Sequence, residues 1–203
     1  MILEDADRNS SSNLKQGKLF VIAAPSGCGK TTIARAILAN HPDMLFSVSA
    51  TTRQKRNGEV YGKDYFFLTK KEFEERIRKG DLVEYEVIYG NYYGTLKSEV
   101  RKALDAGRIM LFDVDVKGAL SIKKNFPNET VLIFIEPPSI DVLKKRLIGR
   151  DTEDEITIAR RLERVPMELE KGKEFDVRII NDDLTTAIAQ VEEVIAQKMK
   201  SVN

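Results

Sequence analysis

The residues best suited to chemistry form a short run near the amino end, Ala24-Pro25-Ser26-Gly27-Cys28-Gly29-Lys30-Thr31-Thr32. Small residues at 26, 27 and 29 let successive backbone N–H groups turn inward around an anion, and a helix starting directly behind them aims its positive end at the same point. Lys30 then reaches the β- and γ-phosphates of a nucleotide, and the Thr31 hydroxyl sits on Mg2+. The run fits GxxxxGK[ST] with one departure, Ala24 in the place of the first glycine. A glycine-rich turn without a ligand would need no Lys-Thr pair at that spacing. A second chemical group is Asp113, at the end of an apolar run. It suits the metal shell opposite Lys30 and Thr31, or else caps the helix that follows.

These residues need elements to hold them. The apolar run Leu19 to Ala23 predicts a buried parallel strand, and Ala34, Ile37 and Leu38 begin the apolar stripe of a helix that ends near Asn40 to Pro42. His41, the single histidine, reads as a solvated cap at that helix end. Phe46 to Ser49 predicts a second short strand. From Ala50 to Asp64 the chain is polar, and Arg53 and Arg56 beside Thr51 and Thr52 form either a second anion site or an exposed basic loop. Tyr65 to Phe67 predicts a strand, Thr69 and Glu72 a capping box, and Gly80 the end of the helix they open. Leu82 to Tyr89 alternates, with Glu84 and Glu86 on one face and Val83, Tyr85 and Val87 on the other. Gly90-Asn91 turns the chain into Tyr92 to Thr95. Strand pieces around one helix, between stretches of βα pattern, predict a small α+β insert over about 50–96.

The βα pattern resumes with a helix over Lys97 to Ala106, a strand over Ile109 to Phe112 and another over Val131 to Ile135. Ser139 caps a helix to about Ile148, which places Arg146 on one face with Arg150 beyond its end. After the acidic stretch Asp151 to Glu155, a second helix carries Arg160, Arg161 and Arg164. This hairpin reads as a lid over phosphates, or as a solvated pair of helices whose arginines are met by Glu153, Glu155, Glu163 and Glu168. Val177 to Ile180 forms a last strand. Asn181 opens the turn after it, and a helix with Ile188, Val191, Val194 and Ile195 covers the sheet.

Composition narrows the function. The 203 residues carry a net charge of +1 with both signs spread along the chain, so no basic field points to nucleic acid or an anionic membrane. The expected ligands are small. One cysteine, Cys28, excludes an internal disulfide framework and fits a reducing compartment. The first sixteen residues are polar with no hydrophobic signal core, and no apolar run approaches a membrane span, so a loose tail on a cytoplasmic protein is expected.

Taken together, Ser47 to Arg53, Gly90 to Thr95 and Asp113-Val114-Asp115, with the phosphate loop before them, resemble the guanylate kinase family. The resemblance runs from about Gly17 to the last helix, with the motifs in the family's order. It implies an α/β fold with a P-loop parallel sheet core, helices on both faces, an inserted small α+β GMP-binding subdomain at 50–96 and a helical lid at 139–170. The core would be 17–49, 97–138 and 171–203. ATP and GMP would be the substrates, with Mg2+ as cofactor and no obligate protein partner, nucleic acid or membrane. By resemblance the GMP phosphate would meet Arg53, Arg56, Tyr65 and Tyr93, and guanine would meet Ser49, Glu84, Thr95 and Asp115. The lid arginines would be Arg146, Arg150 and Arg161, and Asn181 would join the phosphate loop at the ATP site. Lys117 stands where the family often has Gln. Two rivals share parts of the pattern, peptide-binding scaffold domains with the same fold and kinases of other nucleoside monophosphates. The ATP-side residues argue against the first, and the base-reading residues against the second.

Overall fold

The computed structural model describes residues 17–88, 90–149 and 155–200, apart from the side chains of 155 and 156. The expected roles of residues 1–16 and of Arg150 therefore fall outside the described residues. Among the described residues nine strands and seven helices follow one another, beginning with β1 (Lys18–Ala23), α1 (Lys30–Asn40), β2 (Leu45–Phe46), β3 (Ala50–Thr51), β4 (Phe66–Phe67), α2 (Lys70–Lys79), β5 (Leu82–Ile88) and β6 (Asn91–Leu96). Then come α3 (Lys97–Asp105), β7 (Ile109–Asp113), α4 (Val116–Asn125), β8 (Thr130–Glu136), α5 (Ile140–Ile148), α6 (Glu155–Gly172), β9 (Val177–Ile180) and α7 (Leu184–Lys200).

The main sheet has the order β2-β7-β1-β8-β9 and is parallel throughout. Its central strand β1 is buried on both sides, as helices on both faces of a parallel sheet require. Phe20 and Ile22 face a core built with Ile33 and Ile37 of α1, Leu143 and Leu147 of α5 and Val191 and Ile195 of α7. Leu19, Val21 and Ala23 face the opposite core, with Val100 of α3, Val116, Ala119 and Ile122 of α4, and Phe175. The smaller sheet, β4-β3-β6-β5, mixes parallel and antiparallel pairs and closes on Phe73 of α2.

Local signals in the sequence mark several boundaries. Thr69 and Glu72 form the complete capping box of α2, Gly80 ends that helix at φ 67°, and the Ser139 hydroxyl accepts from Val142 N–H at the start of α5. Three expectations are corrected. The strand expected over Phe46 to Ser49 is divided, because β2 ends at Phe46 in the main sheet and the chain crosses to the smaller sheet before β3 begins at Ala50. The alternation expected for β5 holds from Glu84 onward but is broken at the start of the strand. A register shift between Leu82 and Glu84 turns Val83 into the core beside Val116 and Ala119, whereas Tyr85 packs across Phe73 and Tyr92. His41 is not simply solvated, since its ring meets the Glu192 carboxylate on α7.

Candidate active site

The loop from Ala24 to Gly29 lies at the carboxyl end of β1 and leads straight into α1, the place where ligands of such sheets bind. Gly27 and Gly29 adopt φ of 95° and 82°, which only glycine holds without strain. The neighbourhood also leaves no room. A Cβ at Gly29 would stand 2.6 Å from Asn181 Nδ2, and one at Gly27 would press on Leu143 and Leu147. Asn181 is buried and donates from Nδ2 to the Cys28 carbonyl at 2.8 Å, so the end of β9 braces the loop from beneath. Asn181→Ala should strand that buried carbonyl, costing about 1–3 kcal/mol of stability and slackening the loop. Urea unfolding and ATP titration on this variant would show both losses; an unchanged midpoint would remove the brace.

Lys30, Thr31 and Asp113 converge as expected. Lys30 Nζ lies 2.6 Å from Asp113 Oδ1 and donates to the Val114 carbonyl at 2.8 Å, while Thr31 Oγ1 donates to Asp113 Oδ2 at 2.9 Å. The capping role left open for Asp113 belongs instead to Asp115, whose Oδ1 accepts from Gly118 N–H at 2.7 Å at the start of α4. The two oxygens of Thr31 and Asp113 fit Mg2+. Octahedral coordination at about 2.0–2.1 Å puts neighbouring ligand oxygens about 3 Å apart, and Mg2+ takes one or two such groups with phosphates and water rather than a dedicated cage. No group of three or more His, Cys, Asp or Glu side chains that could hold a metal ion occurs among the described residues.

The loop lines a cleft of about 330 Å3 together with Glu86, Asp115, Arg161, Arg164 and Glu168. Arg161 hydrogen-bonds the Ser26 hydroxyl, so α6 reaches the phosphate loop directly. Arg146 does not line this cleft. It donates to the carbonyls of Asn181 (2.8 Å) and Asp182 (3.1 Å), beside the brace.

On the insert, Arg53 lies over the Tyr65 ring at 5.2 Å, and Tyr65 meets Tyr93 edge to face at 6.1 Å between centroids. The loop of either reading is thus a built one. Glu59 holds it, accepting from the Arg53 guanidinium at 2.6 Å and from Arg56 N–H at 2.7 Å. Ser49 stands at the crossing between sheets, where its carbonyl accepts from Phe66 N–H. Glu84 and Thr95 are register partners on β5 and β6, and the Thr95 hydroxyl donates to Glu84 Oε1 at 2.6 Å. Burial pushes the Glu84 carboxyl above the ordinary carboxylate range, with the nearby Asp115 and Glu86 charges adding to the rise and the Thr95 hydrogen bond opposing it. A second cleft of about 460 Å3, lined by Glu84, Glu86, Asp115, Lys117 and Gly118 among others, opens here. The two clefts share Glu86 and Asp115.

Glu59 and Glu86 escaped the sequence reading as site residues, whereas Arg164 and Glu168 entered it only as an arginine of the lid helix and its possible partner, a pairing that is present, and not as lining the cleft. Spacing offered a signal for two of them. Glu86 is two strand positions from Glu84, and Arg164 is one helical turn from Arg161. The Glu59 contact and the burial of Glu168 (6% exposed) are tertiary facts with no local signature.

A glycine-rich loop between the central strand and the first helix of a parallel sheet, with a Lys-Thr-Asp cluster at its mouth, defines a P-loop α/β nucleotide-binding protein. The chain belongs to the guanylate kinase family, whose model, described as "Guanylate kinase", matches residues 16–198. It is 51% identical over 175 residues to a guanylate kinase of Chlorobium luteolum, covering 86% of this chain and 89% of that protein. It is 47% identical over 184 residues to a guanylate kinase of Salinibacter ruber, covering 90% of this chain and 97% of that protein. A crystal structure of guanylate kinase from Anaplasma phagocytophilum matches with a TM-score of 0.69 at 28% identity, covering 93% of this chain and 89% of that one. No helix among the described residues is long and apolar enough to cross a membrane.

Proposed function

We propose that the family's activity, ATP-dependent phosphorylation of GMP to GDP, proceeds here by in-line transfer between the two clefts. The observation that carries this reading is that the two clefts adjoin at Glu86 and Asp115, with a phosphate loop on one side and the Glu84–Thr95 pair on the other. The loop amides, Lys30 and Arg161 hold the ATP phosphates. Arg53, Arg56, Tyr65 and Tyr93 hold the GMP phosphate, and Ser49, Glu84, Thr95 and Asp115 read guanine. Two anionic nucleotides held in line need charge neutralisation more than covalent help. The phosphate oxygen of GMP is itself the nucleophile, so no protein base is required.

Thr31 and Asp113 would hold Mg2+, which when bound offsets charge on the β- and γ-phosphates. Segment 50–96 serves as the GMP-binding unit and 139–170 as the lid over the phosphates. Excluding water there protects ATP from hydrolysis. The site is read as acting in the cytoplasm, on GMP and dGMP, without an obligate protein partner.

A coupled assay with ATP and GMP, dGMP, AMP or UMP tests the reading; GMP and dGMP should turn over and AMP and UMP only feebly. Preference for AMP or UMP would overturn it. Chelation by EDTA should stop transfer and added Mg2+ restore it, with Asp113→Asn shifting the Mg2+ requirement to higher concentration. An Mg2+ titration of rate that is identical in the two proteins would take Asp113 out of the metal shell.

A further inference from the structure

Arg164 lines the first cleft beside the two residues that it shares with the second. Its Nη2 is 3.4 Å from Asp115 Oδ2, its Nη1 3.9 Å from Glu86 Oε1 and its Nε 3.8 Å from Glu168 Oε1. Asp115 and Glu86 are the very residues the clefts share. The root of Arg164 does not drift, because its helix neighbour Val165 is 1% exposed in the core and Glu168, one turn on, is 6% exposed. Glu168 keeps one buried oxygen, Oε2, with no hydrogen-bond partner among the described residues. A carboxylate buried in that way is held by the cation beside it, and it holds that cation in return.

Asp115 has divided duties. Oδ1 is committed to the α4 cap, which leaves Oδ2 as the oxygen that faces outward, and Arg164 is its cationic partner. Lys117, the cation that lines the second cleft, is exposed, and Lys30 is taken by Asp113 and Val114. Without Arg164, the Glu84, Glu86, Asp115 and Glu168 carboxylates would face one another with no fixed positive charge between them. Like charges crowded together rotate apart, and the acceptor oxygens lose their aim.

We propose that Arg164 is a positioning residue for acceptor specificity, holding Asp115 and Glu86 from α6 so that the base of the acceptor nucleotide is read partly by the helix that also touches the phosphate loop. This rests on the assignment of Asp115 to guanine made above. An ionised carboxylate can only accept, and guanine has an N1–H and a 2-amino group: Glu84 can take the first with one hydrogen of the second, which leaves Asp115 the other hydrogen of the second. Inosine monophosphate keeps the first and lacks the second, so it reports on how well Asp115 is aimed.

The test compares wild type, Arg164→Met, Arg164→Lys, Asp115→Asn and the Arg164→Met/Asp115→Asn double variant with GMP and inosine monophosphate at saturating ATP. Arg164 is half exposed, so these proteins should fold, and thermal midpoints check it. Arg164→Met should raise KM for GMP about tenfold with kcat changed less than about threefold, and should narrow the GMP-to-inosine monophosphate ratio of kcat/KM by a similar factor. Arg164→Lys should recover part of the loss. In the double variant the Arg164 effect should vanish, because its partner oxygen is already gone. A fall in kcat with KM and the ratio unchanged would overturn the proposal and make Arg164 a contact to the phosphates. Equal effects of Arg164→Met with and without Asp115→Asn would also overturn it, as would no effect at all, the result for an ordinary surface pair. If Asp115→Asn alone changes neither nucleotide, the assignment of Asp115 to guanine fails first and this proposal falls with it.

Discussion

Lys30→Ala should give a folded protein whose kcat is lower by about two decades or more, the scale of losing one preorganised charge from a phosphoryl-transfer site. The fold should survive because Lys30 keeps 21% of its side chain exposed and because its partner Asp113 still accepts from Thr31. The functional loss is larger than the structural one for a physical reason. Charge moves toward the leaving ADP as the bond breaks, so a cation fixed beside the β- and γ-phosphates is worth more in the transition state than in the bound substrate. KM for ATP should therefore rise much less than kcat falls. Steady-state kinetics with a thermal melt on the same preparation would check both halves. A kcat within a factor of about three of wild type would remove Lys30 from the mechanism.

Glu84→Gln should alter specificity instead. An ionised Glu84 can accept from guanine N1–H and from the 2-amino group together, whereas adenine presents an unprotonated N1 at the same place, which an acceptor repels. Changing one carboxylate oxygen to an NH2 sets donor against donor. kcat/KM for GMP should fall by about two to four decades while that for AMP stays level or rises slightly. An unchanged GMP-to-AMP ratio would falsify the assignment.

The raised pKa of Glu84 adds a pH dependence with a definite sign. The folded protein holds this proton to higher pH than the unfolded chain does, so the ionised carboxylate costs stability at neutral pH, and that cost shrinks as pH falls through the folded value and is gone below the unfolded one. GMP needs the ionised form. Affinity for GMP should decline on acidification through that raised value, earlier than an ordinary carboxylate would dictate, and Glu84→Gln should melt no lower than wild type at neutral pH. Calorimetric titration across the acidic range would check the first. A variant that melts well below wild type would mean that Glu84 supports the strand more than it burdens it.

What the sequence disclosed follows the range of the forces involved. Capping of α2 by Thr69 and Glu72, the Ser139 cap and the glycine-rich loop all depend on residues within a few positions, and each is present as read. The Asp113–Asp115 pair shows the limit. Both aspartates follow the same apolar run, and only the turn of the backbone after β7 decides that the first faces Lys30 and the second caps α4. Val83 is another case, since alternation cannot register the shift that sends it to a different core from Tyr85. The Asn181–Cys28 hydrogen bond and the Glu59 contact to Arg53 depend on where the chain returns, and nothing near either residue announces the partner.

The strand order carries a consequence for biosynthesis. β1 emerges early, yet its only neighbours in the sheet are β7 and β8, which begin at Ile109 and Thr130. Until those segments leave the ribosome, Leu19 to Ala23 has no strand to pair with and only the part of its cover that α1 and α3 supply, and the loop it carries has no rigid base. Pairings so distant in the chain make folding slow, and they leave an apolar strand exposed while the chain grows. A nascent chain halted before Thr130 should thus be unable to retain ATP and should depend on chaperones, although every residue of its phosphate loop has already been made.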